Sequence, residues 1–313
     1  MPNPPRISIV TPSYNQAAYL EDTIQSVLNQ DYPNLEYILI DGGSTDGSLE
    51  IVERYTDKLA YWVSEPDKGQ ASAINKGLAH ATGEIVAWLN SDDIYLPGAF
   101  MQAAQAFQSN PGLGFMYGDL QSIDSSGQVF NTIRYAPYSL DDLLAFRIIG
   151  QPSVFIRRGI LDQAGLLDAS YHYLLDHHLW LRLATTARMK YIPETRAAAR
   201  HHPAAKNIAE AGAFGNEIYR ILDWAQTQPD LNAIIGRQHR RVLGGAHRLN
   251  ARYLLDSGQP AQSLKFYAKA LLQDPIYALH HSHRIIFAIL NLLGLGWLRK
   301  LTNRRGGSKT RPM

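Results

Sequence analysis

The sequence predicts an α/β protein: a mainly parallel, Rossmann-like sheet flanked by helices, followed by an all-helical C-terminal region. Three observations carry this. Short apolar runs alternate with stretches of helical periodicity over the first 90 residues. Three of those runs end in clusters rich in Asp, Ser and Asn. Beyond Lys206 the strand signal disappears and amphipathic helices follow one another.

The elements follow in order. Ile7 to Pro12 is an apolar strand, and Leu20, Ile24, Val27 and Leu28 then recur at helical spacing until Pro33. Leu35 to Ile40 is a second strand, running into Asp41-Gly42-Gly43-Ser44-Thr45-Asp46-Gly47 and a helix with Leu49, Ile51, Val52 and Tyr55. Ala60 to Ser64 is a third strand and Ala71 to Ala81 a helix. Glu84 to Leu89 is a fourth strand, ending in Asn90-Ser91-Asp92-Asp93. From Gly112 the pattern is mixed, with strands at Leu113 to Tyr117, Gln128 to Tyr135 and Ser153 to Arg157, and a helix at Asp176 to Ala187. Helices are then expected at Glu217 to Gln226, Leu231 to Leu255, Ala261 to Leu272 and Ile285 to Leu298. Residues 251–275 resemble one tetratricopeptide-like hairpin, too few for a solenoid.

Composition narrows the function. The 313 residues carry 30 Lys+Arg against 28 Asp+Glu and are 45% hydrophobic, which excludes wholesale disorder. With no Cys there is no disulfide, thiol nucleophile or Cys-ligated metal, so any metal must rest on oxygen or imidazole. The N-terminal residues lack a basic segment followed by an apolar stretch, so a cytoplasmic address is expected. No nucleic-acid partner is expected. Neither a dinucleotide fingerprint, a phosphate loop nor a nucleophile elbow occurs.

In open α/β sheets ligands bind outside the carboxyl ends of the strands, so the three polar clusters should share one crevice. Asp92 and Asp93 leave the fourth strand with no basic sequence neighbour, and hard divalent cations take carboxylate plus phosphate oxygens. Their alternative role is to cap a helix beginning near Pro97. Asp41 is placed to accept from a nucleobase imide or a ribose hydroxyl, or else to hold a turn, and Asp46 is expected to cap the next helix. Asp176 is either a general base or the cap of its own helix. His201-His202 is either surface decoration or a metal or phosphate contact.

Together these residues resemble the family 2 glycosyltransferases of the inverting GT-A type, over about residues 7–206. The matching blocks are Val10 to Asn15, Ile40 to Gly47, Asp67 to Ala71 with Asn75-Lys76-Gly77, Leu89 to Asp93, Tyr117-Gly118-Asp119, Gln151-Pro152-Ser153 with Arg157-Arg158, Asp176 with Leu179 to Arg182, and Arg200-His201-His202. The resemblance implies that Thr11, Pro12 and Asp41 hold the nucleotide base, that Asp67 and Lys68 lie along the nucleotide–sugar path, and that Asp92 faces the ribose. It implies that Asp93 binds a divalent cation, Mn²⁺ or Mg²⁺, with His202 assisting. Asp176 would be the general base, and Gln151 and Arg158 would border the donor or acceptor pocket. Leu175 and His178 stand where the family commonly has acidic residues. The implied donor is a nucleotide sugar, expected to be a UDP-sugar, and the acceptor a saccharide or lipid-linked saccharide. A non-catalytic nucleotide-binding protein with a helical docking module is the rival.

The expected domains are a catalytic body at 1–206, a helical region at 207–300 and a basic disordered tail at 301–313. The overall charge hides a split: residues 275–313 hold seven Lys/Arg and no Asp/Glu, while the rest hold 23 against 28. An apolar stretch between basic residues, at 14 residues too short to span a bilayer, either meets a membrane surface through 284–311 or packs on the core as a terminal helix followed by a disordered basic tail. The first alternative adds to the expected cytoplasmic address a peripheral position at the inner face of the plasma membrane. Oligomeric state, sugar and linkage carry no readable code.

Overall fold

A computed structural model describes residues 3–205, 210–279 and 281–295, with the backbone of 311–312. The chain divides into two compact units. The first comprises Met1–Pro137, Ile149–His201 and Thr310–Met313; the second comprises Tyr138–Ile148 and His202–Lys309. The expected boundary at 206 lies outside the described residues.

The first unit is built on strands β1 (Ile7–Ser13), β2 (Leu35–Asp41), β3 (Tyr61–Ser64), β4 (Ile85–Trp88), β5 (Ile94–Tyr95), β6 (Leu113–Ile123), β7 (Val129–Arg134), β8 (Phe155–Arg157) and β9 (Arg188–Arg200). Their order is β7-β6-β8-β4-β1-β2-β3, with β9 paired to β6 and β5. β4, β1, β2 and β3 are mutually parallel, and β8 enters antiparallel between β4 and β6. The expected tail at 301–313 lies outside the described residues except at Arg311–Pro312, a short strand β10 parallel to β7.

β1, β2 and β4 are buried on both faces, which is why they read as continuous apolar runs rather than alternating ones, whereas β3 is half-buried throughout. All seven residues of β1 are buried. Helices α1 (Ala17–Leu28), α2 (Ser48–Glu53), α3 (Gln70–His80) and α4 (Ala99–Ser109) supply the cover, α1 through Leu20, Thr23, Ile24 and Val27. On α3, Gly77 permits the closest approach, because a Cβ there would stand 2.3 Å from Val10 Cγ1. Helix α5 (Leu140–Leu144) falls to the second unit, while α6 (Arg158–Ala164) and α7 (Leu175–Thr186) return to the first. Trp180 of α7 stacks on Trp88 of β4, ring centroids 5.3 Å apart, and on Phe115 at 6.0 Å.

The second unit is helical: α8 (Phe214–Thr227), α9 (Pro229–Asp256), α10 (Pro260–Gln273), α11 (Pro275–Leu279) and α12 (Ser282–Leu292) join α5. The hairpin foreseen at 251–275 is α10 folded against the end of α9, with Ser263 Oγ donating to the Ala251 carbonyl at 2.7 Å. The last helix was expected to reach Leu298; it ends at Leu292, and 296–298 lie outside the described residues.

Candidate active site

The three polar clusters do lie at the carboxyl ends of adjacent parallel strands, β4, β1 and β2, with Ser13 in register with Asp41. At the end of β2, Asp41 is fully buried and anchors a turn. Its Oδ2 accepts from the Gly43 N–H at 3.0 Å, the Ser44 N–H at 2.9 Å and the Ser64 hydroxyl at 2.7 Å, and Oδ1 accepts from the Ser44 hydroxyl. The carboxylate therefore fixes the rim of the crevice through local hydrogen bonds. Asp67, from the loop after β3, leans over the same rim: a Cβ on Gly42 would stand 2.9 Å from Asp67 Oδ2 and 3.3 Å from Tyr14 Cδ2. Its Oδ1 accepts from the Gly69 N–H at 2.7 Å, and Lys68 beside it is exposed.

Asp46 is not the cap of α2. Gly47 holds that position, and Asp46 reaches across to the first N–H groups of two helices, Ala17 at 2.9 Å and Ser48 at 3.1 Å. Burial alone would raise its carboxyl, and the donors from Ser48 and Ala17 outweigh that and hold it low.

The Asp92-Asp93 turn after β4 is clamped from three sides. Thr23 of α1 donates to the Asp93 carbonyl at 2.7 Å, and Arg200 at the end of β9 donates from its N–H to Asp93 Oδ1 at 2.9 Å and from Nε to the Asp92 carbonyl at 3.0 Å. Asn90 donates to Asp93 Oδ2 at 3.3 Å and is itself held by Gln70 at 2.8 Å. Neither Asp caps α4, whose cap is Gly98. Asp93 is buried, and its carboxyl is pushed well above the usual range, first by desolvation and next by the charge of Asp92, with the Arg200 N–H pulling the other way.

That imbalance is the test for a cation. Two adjacent carboxylates, hard oxygen donors whose charges oppose each other, suit Mg²⁺ or Mn²⁺. Among the described residues no group of three or more His, Asp or Glu gathers in a metal-binding arrangement, so the remaining ligands would have to come from diphosphate oxygens and water. The residues fit a cation carried with its substrate rather than a closed protein cage. His202 is described with the second unit, where it is buried and its carbonyl accepts from the Ala205 N–H at 3.0 Å.

Asp176 is not the cap of α7, which begins after Leu174. It lies in the first turn, half-buried, with Oδ1 accepting from the His177 N–H at 2.7 Å. Residues four apart share a helix face, so Asp176 stands one turn from Trp180, the ring that stacks on the last residue of β4. Gln151 is buried beside that strand end, where its Nε2 donates to the Trp88 carbonyl at 2.7 Å and its Oε1 has no partner.

Three expected site residues are placed differently. Thr11 is fully buried and its hydroxyl pairs with the Tyr37 hydroxyl at 3.0 Å, so both it and buried Pro12 form the floor of the crevice instead of reaching into it. Ser13, whose buried Oγ has no partner, is the polar side chain at that strand end. Arg158 is at the wrong edge of the sheet. β8 runs antiparallel to β4, Arg157 pairs with Ile85, and the Arg158 N–H donates to the Glu84 carbonyl at 2.9 Å, all at the amino end of β4. Arg200 and Thr23, which the sequence left without roles, are the residues that hold the acidic turn. Their separations of 107 and 70 residues from Asp93 leave no local signal.

A family model described as glycosyl transferase family 2 matches residues 8–155. TuaG of Bacillus subtilis (strain 168), a glycosyltransferase assigned to teichuronic acid biosynthesis, is 35% identical over 159 residues, 49% of this chain and 63% of TuaG, so the chain spans less than two thirds of that relative. An uncharacterized glycosyltransferase of Mycobacterium tuberculosis (strain ATCC 25618 / H37Rv) is 30% identical over 188 residues, 59% of this chain and 71% of the relative. Among solved structures, S. aureus TarS 1–349 in complex with UDP-GlcNAc superposes with a TM-score of 0.60 at 15% identity, covering 96% of this chain and 92% of that one. The mannosyltransferase PcManGT from Pyrobaculum calidifontis, in complex with GDP-Man and Mn²⁺, gives 0.62 at 20% identity, covering 97% and 89%. With its strand-end clusters on this sheet, the chain has the GT-A fold and belongs to glycosyltransferase family 2.

Proposed function

We propose that this chain transfers a glycosyl group from a nucleoside-diphosphate sugar, a UDP-sugar in our reading, to a hydroxyl of a glycan or lipid-linked glycan. The observation that carries this is the clamped Asp92-Asp93 turn, a rigid pair of carboxylates at the carboxyl end of the central strand. The solved neighbours support the donor class, their complexes holding UDP-GlcNAc and GDP-Man. The relative assigned to teichuronic acid biosynthesis supports an envelope polysaccharide as acceptor.

In this reading Asp41, Asp67 and Lys68 border the nucleotide, Asp92 meets the ribose, and Asp93 would hold the cation. A divalent cation, when bound, supplies positive charge against the diphosphate that departs. Asp176 accepts the proton of the acceptor hydroxyl as its oxygen bonds to the anomeric carbon and the bond from that carbon to the diphosphate oxygen breaks. Attack opposite the leaving group inverts the anomeric configuration. Gln151, with its unpartnered Oε1, borders the transferred sugar or the acceptor. The enzyme works from the cytoplasmic side, peripheral to the membrane.

Transfer with a panel of UDP-sugars and envelope glycans tests this. Asp176→Asn is expected to keep donor binding and lose transfer by about 10²–10⁴-fold, the range of general-base catalysis. Transfer at the wild-type rate in that variant would remove Asp176 from the role.

A further inference from the structure

In the helical unit α9 is 28 residues long and bends at Gln238, where φ −125° and ψ 29° leave the helical range. Proline does not cause this bend, and side chains hold it. Gln238 Nε2 donates to an Asp141 carboxylate oxygen, its Oε1 accepts from Arg241 Nη1 at 3.0 Å, and Arg241 Nη2 pairs with Asp142. On a regular helix successive residues turn by about 100°, so six in a row face every direction. Here residues 236–241 all line one cavity of about 670 Å³, with 273–276 opposite. The bend turns a helix surface into a shallow, open concavity.

The cavity is cationic. Arg237, His239, Arg240 and Arg241 face it against one carboxylate, Asp274, whose Oδ1 accepts from the Tyr277 N–H at 3.0 Å. Arg241 is paired with Asp142, and Arg240 gives Nη2 to the Leu272 carbonyl at 3.0 Å. Arg237 and His239 make no hydrogen bond or ion pair among the described residues. The rim carries Pro275 and Ile276, the latter 77% exposed, and Leu272, Leu279, Ile286, Ile289 and Leu292 are exposed on the same three helices, α10 to α12.

We propose that this cavity binds the phosphate of an anionic phospholipid headgroup, with the exposed side chains of α10 to α12 meeting the acyl boundary. Guanidinium forks match phosphate oxygens in bidentate geometry. A soluble phosphate would account for the arginines and not for the apolar rim. The sequence that follows the cavity, residues 275–313, holds seven Lys/Arg and no Asp/Glu, a charge that an anionic leaflet attracts. The inference rests on the membrane-surface placement of the proposed function and supplies its point of contact.

The test is co-sedimentation of the full chain with phosphatidylcholine vesicles containing about 30 mol% phosphatidylglycerol, the anionic surface on which each arginine is worth roughly fivefold in binding. Arg237→Gln should weaken binding about fivefold and Arg237→Gln with Arg240→Gln about 30-fold. Pure phosphatidylcholine should not bind, and UDP binding should be unchanged throughout. Arg237→Gln removes no contact within the fold, so it reads the site even where the double variant is unstable. Three results overturn the proposal: anionic vesicles bound equally by wild type and variants, inorganic phosphate binding through Arg237 with no vesicle binding, or a wild-type dimer that these substitutions dissociate. Vesicle binding that persists in a protein showing no glycosyl transfer would instead sink the enzymatic reading and leave this one standing.

Discussion

Asp93 answers two opposed demands with one carboxylate. Burial and the neighbouring Asp92 favour its neutral form, whereas the Arg200 N–H and Asn90 hold acceptor positions on its two oxygens. A cation resolves the conflict by favouring the charged form. Asn at this position retains an oxygen for the Arg200 N–H and removes the charge, so Asp93→Asn should fold normally and lose metal-dependent turnover by about 10²-fold or more. Arg200 acts through that carboxylate as a positioning residue. Arg200→Lys keeps the backbone donor and loses the Nε bond to Asp92, and should weaken the apparent Mn²⁺ affinity by about 10–100-fold while leaving metal-free UDP binding unchanged. The acidic residues were legible because a charge directly after an apolar strand has few structural uses. Thr11 and Arg158 were misplaced for different reasons. Thr11 shares a face of β1 with Ser13 but lies two residues inside the strand, where its hydroxyl is taken by Tyr37, and the antiparallel sense of β8, invisible in composition, moves Arg158 to the amino end of β4.

Elements at the opposite end of the sheet are held by a buried acid. Glu36 accepts from the Ser8 hydroxyl, from the Thr82 N–H at 2.6 Å and from the Thr82 hydroxyl at 2.7 Å, with Arg6 at 3.3 Å. Burial raises its carboxyl, and these donors together outweigh burial and leave it below its ordinary 4.5. A depressed folded-state value means stability present above about 4.5 and lost as pH falls through the folded value. Glu36→Gln should therefore lower the melting temperature at neutral pH and flatten its fall in acid. The neighbouring turn is tight: a Cβ on Gly83 would stand 2.5 Å from Ser8 Oγ and 2.7 Å from the Arg6 carbonyl. Gly83→Ala should cost about 1–3 kcal/mol, read by chemical denaturation. The parallel β-α steps were legible because β1, β2 and β4 are buried on both faces and their helices carry apolar stripes. β9 is not among the strands marked by the sequence pattern. Its 13 residues include Pro193 and five charged side chains and hold no apolar run of strand length, and their pairing with β6 is what makes them a strand.

For the molecule as a whole, the division into two units is not collinear with the chain. Tyr138–Ile148 joins the helical unit, where Arg248 Nη2 donates to the Phe146 carbonyl at 2.7 Å. A Cβ on Gly245 would stand 2.0 Å from the Ala145 carbonyl oxygen. Such an insertion has no local mark in sequence, because its partners lie about a hundred residues away. The charge split was legible from counting alone, and the basic cavity was not, because it needs the bend at Gln238. The central claim is that the strand-end acids bind a nucleoside diphosphate together with a cation. Isothermal titration of UDP into wild type and Asp93→Asn, each with and without Mn²⁺, tests it most directly. The account predicts UDP binding that Mn²⁺ strengthens at least tenfold in the wild type and does not change in the variant. Equal enhancement by Mn²⁺ in both proteins, or no binding of UDP to the wild type, would contradict it.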